Sequence, residues 1–289
     1  MEHIDKLPVI DAELDYMTVE YYPNILYGVR GGVNRYIQLM KPFENEPGKK
    51  YPLIIYYQGS AFAEQEMYRW LPFLAGIAKM GYVVASVQGR GFEVARFPAM
   101  VEDAKAGLRY MIRHAEEYQA DPEQLIIWGD SSGGHTALMV GLSNGLPVLD
   151  DGTDSEVEAH IKGIIDFYGV TDPMTMLTLD RSTVIEGIDD IASALMGDDM
   201  EKMAGLMKYA KATEYISSER DIPPILIFHG DADVTVPISQ SELLYDALKK
   251  AGKDAEFYIV KGAPHAGPAF HAPSVTEKMD AFIKRVLSR

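Results

Sequence analysis

The chain has no cysteine. That excludes a disulfide framework and a thiolate metal site. Positive charge is scarce: 27 Lys and Arg stand against 43 Asp and Glu, a formal net charge of −16. A surface of that sign repels phosphate backbones and anionic lipid, so neither nucleic acid nor a membrane is an expected partner. No apolar run approaches the length that spans a bilayer. The opening Met1-Glu2-His3-Ile4-Asp5-Lys6 lacks a basic stretch followed by an apolar one, and the expectation is a cytoplasmic protein. H-E-x-x-H is absent, and His and carboxylates do not cluster at ligand spacing, so no metal is expected. Neither Gly28 to Gly32 nor Gly89-Arg90-Gly91 is a G-x-G-x-x-G motif, which leaves dinucleotide binding unsupported and no cofactor expected.

What is present is enough for one large α/β domain: 289 residues, of which 47% are hydrophobic and 24% charged. Met17 to Tyr22 and Tyr36 to Met40 read as strands, punctuated by Pro23 and the Gly31-Gly32 pair. Leu53-Ile54-Ile55-Tyr56-Tyr57 and Tyr82-Val83-Val84-Ala85-Ser86-Val87 are continuous apolar runs, as expected of parallel strands buried on both faces. Met67 to Met80, with Pro72 near its start and Gly81 as its stop, has helical spacing, as does Val101 to His114. Asn144 to His160 is polar and acidic and reads as surface. Gly163 to Phe167, Ile225 to Phe228 and Glu256 to Val260 are further strands. Ser239 to Ala251 and Val275 to Leu287 are helices. Such alternation gives a doubly wound, mostly parallel sheet of about eight strands with helices on both faces. Residues 172–218 lack strands and carry Met174, Met176, Met196, Met200, Met203 and Met207. The expectation is a helical cap inserted at the carboxyl edge of the sheet, where ligands bind in open α/β folds, within a single domain over 1–289.

The stretch Leu125-Ile126-Ile127-Trp128-Gly129-Asp130-Ser131-Ser132-Gly133-Gly134-His135 concentrates the chemistry. It opens as a strand, breaks into G-x-S-x-G and continues into Thr136-Ala137-Leu138-Met139-Val140, the start of a buried helix. Strand, sharp turn and helix are the context a nucleophile elbow needs. Gly129 and Gly133 flank a bend with no room for a Cβ. Ser131 is then pushed out at the carboxyl end of the strand, above a helix N-terminus.

A serine hydroxyl is a weak nucleophile unless a base takes its proton and a carboxylate orients that base. In this context the chain order is Ser, then acid, then His. His265, in Gly262-Ala263-Pro264-His265-Ala266-Gly267 just after the last strand, is the expected base, with His271 as its rival. His3, His114 and His160 precede any acid or lie on polar surface. His135 reads as a packed core residue and His229 as a brace for the acid loop. Asp231 and Asp233, in His229-Gly230-Asp231-Ala232-Asp233, both qualify as the acid. Asp233 has the better reach, and Asp231 is expected to make local Asx-turn bonds. Asp130 points away from the base and is read as support. Oxyanion donors are expected at the backbone N–H groups of Ser60, Ala61 and Ser132. Phe62, Trp70, Phe270 and the Met-rich insertion are expected to shape the pocket.

Taken together, Phe97-Pro98-Ala99-Met100-Val101-Glu102-Asp103, Gly129 to His135, His229 to Asp233 and Pro264-His265 resemble the α/β-hydrolase family. Within it the likeness is to the esterase/lipase branch related to hormone-sensitive lipase, and to bacterial acetyl- and feruloyl-esterase-like proteins. It runs from about Leu53 to the C-terminus. It departs at Gln58-Gly59-Ser60-Ala61, where the family has His-Gly-Gly-Gly, and at the long insertion. The resemblance implies an α/β-hydrolase fold and a cofactor-free serine carboxylesterase. The expected reaction is hydrolysis of short-chain acyl esters through an acyl-enzyme, with acylated plant-polysaccharide fragments as substrates by resemblance. The expected partner is a small-molecule ester, met by a monomer or a homodimer. Two other readings share these residues. A serine peptidase of the prolyl-oligopeptidase type usually carries a propeller, for which 289 residues leave no room. A binding protein on a hydrolase scaffold typically lacks the nucleophile or the histidine, and this chain has both.

Overall fold

The sheet is built around the strands that the sequence makes apolar on both faces. The structure, a computed structural model, describes residues 7–13, 16–43, 48–176, 195 and 200–289. In β3 (Tyr51–Tyr57) and β5 (Ala120–Asp130), neighbouring side chains enter opposite layers. Leu53, Ile55 and Ile127 pack with Leu138 on one side; Ile54, Ile126 and Trp128 pack with Phe282 on the other. That is the period-two alternation of a strand whose two faces are both covered by helices.

Around this pair the order is β1-β2-β4-β3-β5-β6-β7-β8. β1 (Val19–Arg30) and β2 (Val33–Pro42) join antiparallel; β4 (Val83–Val87), β6 (Ile161–Phe167), β7 (Ile225–Gly230) and β8 (Ala255–Val260) run parallel with β3 and β5. Among the described residues the α-helices are α1 (Leu71–Lys79), α2 (Ala99–Arg113), α3 (Ser132–Leu142), α4 (Pro173–Met176), α5 (Met200–Ala210), α6 (Ser239–Lys250) and α7 (Pro273–Leu287). The expected eight-stranded, mostly parallel α/β sheet is the observed one.

Three segments differ from the sequence reading. Pro23 does not end the first strand; β1 continues to Arg30, with a register irregularity between Tyr22 and Ile25. β1 is an edge strand, where a missing N–H is tolerated. The first helix begins at Leu71, not Met67. A helix begun at Met67 would drive the Pro72 ring into the carbonyl of Tyr68. Residues 144–160, read only as surface, are clamped to the body. Arg109 grips Asp150 through two bonds, of 2.9 and 2.5 Å, Arg113 reaches Asp154 and Glu156, and Arg30 reaches Asp151. Of the expected cap over 172–218, residues 177–194 and 196–199 lie outside the described residues. Among the described residues no helix is long and apolar enough to cross a membrane.

Candidate active site

β5 delivers Ser131 at its carboxyl end, and α3 starts at the next residue. Ser131 is held at φ 54°, ψ −123°, a conformation that costs a non-glycine residue of order 1–3 kcal/mol. The bend survives because its surroundings lock it. The Ser131 N–H donates to the Phe167 carbonyl at 2.9 Å, and the Ser131 carbonyl accepts from the His135 N–H at 3.1 Å. The flanking glycines are obligatory: a Cβ on Gly129 would lie 2.1 Å from the Gly133 carbonyl oxygen, and one on Gly133 2.0 Å from that of Tyr57.

Two late loops complete the arrangement. His265, after β8, places Nε2 2.9 Å from Ser131 Oγ and Nδ1 2.7 Å from Asp233 Oδ2. With Asp233 ionised, Nδ1–H donates to the carboxylate, which leaves the Nε2 lone pair facing the serine hydroxyl. Asp233 lies in the loop after β7, its side chain fully shielded. Burial pushes its carboxyl up. Hydrogen bonds from His229 and His265, the charge of His265 and the Val236 N–H outweigh this and bring it down to about 2. Asp233 Oδ1 also accepts the N–H groups of Thr235 and Val236, each at 2.9 Å. His229 stands behind the acid, 3.4 Å from Asp233 Oδ2, and is itself held by Ser241 and the Val236 carbonyl. The local Asx-type bonds expected of Asp231 therefore belong to Asp233. Asp231 instead accepts the Gly262 N–H, tying the acid loop to the histidine loop.

The rival His271 is stacked on Phe73 at 3.8 Å and edge-on to Trp70 at 4.9 Å. Burial lowers its pKa. His135 is fully buried and hydrogen-bonded through Nδ1 to the Val170 carbonyl at 2.9 Å; burial brings its pKa down to about 4.

Of the three expected oxyanion donors, Ser60 is already engaged: its N–H donates to Ser132 Oγ at 2.9 Å. The N–H groups of Ala61 and Ser132 have no acceptor among the described residues. Ser132 stands at the first position of α3, where no intrahelical partner exists. Ala61 and Phe62 adopt left-handed φ values of 52° and 64°. The loop thus takes without glycine the turn that glycines would take cheaply.

Asp130 ties the two halves together. Fully buried, it accepts the Gly59 N–H at 2.8 Å and the Tyr56 hydroxyl at 2.5 Å, and the Tyr168 hydroxyl is near enough to help lower its pKa. Burial raises its carboxyl above the ordinary range, and these bonds hold it back. The Tyr168 ring lies 4.9 Å from that of His265, edge to face. One carboxylate therefore registers both the Gly59–Ala61 turn and the wall behind the imidazole. Tyr56 and Tyr168 were not singled out in the sequence. The one available sign was their place at the carboxyl ends of β3 and β6.

The three pocket candidates separate. Phe62 lines a recess of about 20 Å3 with Ser60, Ser132, Thr136 and Met100. Trp70, half-buried, carries the Arg69 guanidinium over its ring at 4.8 Å and abuts His271. Phe270 is not a pocket residue. It is fully buried against Tyr168 and Phe167, with ring centroids 4.4 and 5.9 Å away, because the short turn Pro268–His271 drives it into the core. Among the described residues no group of three His or carboxylate side chains could hold a metal ion.

With this geometry in hand, the chain was compared with known proteins. The BD-FAE family model matches residues 39–248. Esterase LipQ of Mycobacterium tuberculosis is 26% identical over 89% of this chain, and the probable carboxylic ester hydrolase LipM of the same organism 25% identical over 65%. The chain spans 59% and 42% of the lengths of those two relatives. A truncated carbohydrate esterase from gut microbiota superposes with a TM-score of 0.80 at 26% identity, covering 96% of this chain and 99% of that one. The thermophilic esterase Est2 of Thermogutta terrifontis shares the fold at a TM-score of 0.73 and 23% identity, over 93% of this chain and 92% of that one. The chain belongs to the BD-FAE family and has the α/β-hydrolase fold.

Proposed function

We propose that this chain is a serine carboxylesterase that cleaves short-chain acyl esters, acetyl groups on plant-polysaccharide fragments foremost, through an acyl-enzyme. The observation that carries this reading is the hydrogen-bonded line from Ser131 Oγ through His265 to Asp233. In the first half-reaction Ser131 Oγ attacks the ester carbonyl carbon and its proton passes to His265 Nε2. The tetrahedral oxyanion is held by the Ala61 and Ser132 N–H groups. His265 then gives the proton to the leaving alcohol as the C–O bond breaks. In the second half, water attacks the acyl-serine by the same route, its proton shuttled through His265 back to Ser131 Oγ, and the acid departs. Asp233 keeps the imidazole in the tautomer this exchange requires and balances the transient imidazolium.

Two further points support the short acyl group and the carbohydrate substrate. The recess beside Ser60, Phe62 and Ser132 holds about 20 Å3, roughly the space of one water or methyl group. The gut carbohydrate esterase matches nearly end to end.

The test is an ester panel: p-nitrophenyl acetate, butyrate and octanoate, acetylated xylan fragments, and methyl ferulate. Acetyl esters should give the highest kcat/KM, and Ser131→Ala should abolish turnover. A wild-type protein that hydrolyses none of them and takes no fluorophosphonate label would refute the proposal.

A further inference from the structure

On the flank of the sheet away from Ser131, a cleft of about 340 Å3 opens between α2, the end of α3 and the clamped segment 144–160. Small-ligand sites begin at about this size. Its floor is Lys105, in the middle of α2 and only 5% exposed. An ammonium has three N–H donors. The Lys105 Nζ uses one, on the Val148 carbonyl at 3.3 Å, and no carboxylate among the described residues stands within ion-pair distance of it. The acids whose charge reaches Lys105 are committed elsewhere: Asp150 to Arg109 and Glu102 to Arg90. A buried ammonium without a counter-ion costs several kcal/mol. The amine reflects that cost, for burial lowers it to about 8. Leu108, Val140 and Val157 make an apolar wall, the Arg109–Asp150 pair with Asn144 and Ser155 a polar one, and Glu158 and His160 stand exposed at the mouth.

We propose that this cleft binds a small monocarboxylate with a short apolar body, its carboxylate on Lys105 Nζ and its body against Leu108, Val140 and Val157. One unpaired ammonium matches one negative charge. A dianion such as phosphate would meet the fields of Asp150 and Glu158 with its second charge. The site is separate from the Ser131 cleft and stands whether or not the esterase reading holds.

Calorimetric titration with benzoate and with benzamide, its neutral isostere, tests the proposal on three proteins. These are the wild type, Lys105→Met, which removes the cation, and Val157→Phe, which fills the cleft and leaves the amine. Wild type should bind benzoate and not benzamide. Loss of one charge-assisted hydrogen bond should weaken benzoate about ten-fold or more in Lys105→Met, and Val157→Phe should lose the same binding component. Any of three results overturns the proposal: no benzoate binding by wild type at millimolar concentrations, equal binding of benzamide, or survival of every binding component in either variant. Should Lys105→Met not fold, Val157→Phe decides.

Discussion

Replacing Asp166 by Asn should make the protein more stable, by a margin that opens above about pH 4 and is complete near pH 7. Asp166, next to last in β6, lies beneath the elbow, wedged between Gly134 and Gly169 and fully buried. Among the described residues neither of its oxygens has a hydrogen bond of ordinary geometry, although the Gly169 N–H offers partial compensation. Burial pushes its carboxyl from 3.8 up to about 7, against the smaller opposing pull of His229. Between those two values the unfolded chain has released the proton while the native state retains it. The native state therefore binds more protons, and its stability falls as pH rises through that window. A gap of about three pH units at 1.36 kcal/mol each gives a ceiling of about 4 kcal/mol, fully developed above pH 7. Asparagine stays neutral throughout. Urea unfolding of both proteins at about pH 5 and pH 8 reads the effect as a double difference, in which every other titrating group cancels. Asp166→Asn should exceed wild type by about 2 kcal/mol at the lower pH, where the unfolded carboxyl is already ionised, and by as much as about 4 kcal/mol at the higher. Parallel curves would mean that Asp166 is ionised in the native state and compensated, and the reasoning would fail.

The remaining expectations concern the site and the acid limb of stability. Ser131→Ala and His265→Ala should each lower kcat by several powers of ten with little change in melting temperature, while His271→Ala should leave kcat within a few-fold. Full activity in His265→Ala would move the base role to another group. Asp130→Ala should release the Gly59–Ala61 turn and misplace one oxyanion donor, a loss in kcat of up to about 10²–10³. Asp130→Asn, which can still accept from Gly59 and Tyr56, should lose much less; steady-state kinetics on p-nitrophenyl acetate separates the two. His135, neutral in the fold with its pKa near 4 against 6.5 when exposed, contributes stability present above about pH 6.5 and lost as pH falls toward 4. His135→Gln should flatten that acid limb in the same urea assay, and an unchanged slope would show the native ring already charged.

How much of this could be read in advance depended on how local each feature is. The elbow is written in eleven consecutive residues, so its strand, bend and helix were legible without any partner. His265 was legible because few histidines follow the last strands, and Asp233 because its loop leaves a buried strand. Features that depend on contacts between distant parts of the chain were not. The Asx-type bonds expected of Asp231 fall to Asp233, and Asp231 ties the two loops instead, since the choice depends on where the Gly262 N–H arrives. Phe270 sits near His265 in sequence, but Tyr168, about a hundred residues earlier, draws it into the core. The engagement of Ser60 by Ser132 Oγ joins two loops 72 residues apart, and no pattern within either loop announces it.

The successive left-handed residues at Ala61 and Phe62 have an implication for how such loops vary. The group that would face the substrate there belongs to the main chain, and its aim is set by two torsion angles. Residues of differing size can then replace one another at 61 with the donor unmoved, provided they tolerate that twist; a β-branched residue would not. Homologous chains could therefore diverge in the letters of this loop and keep its shape.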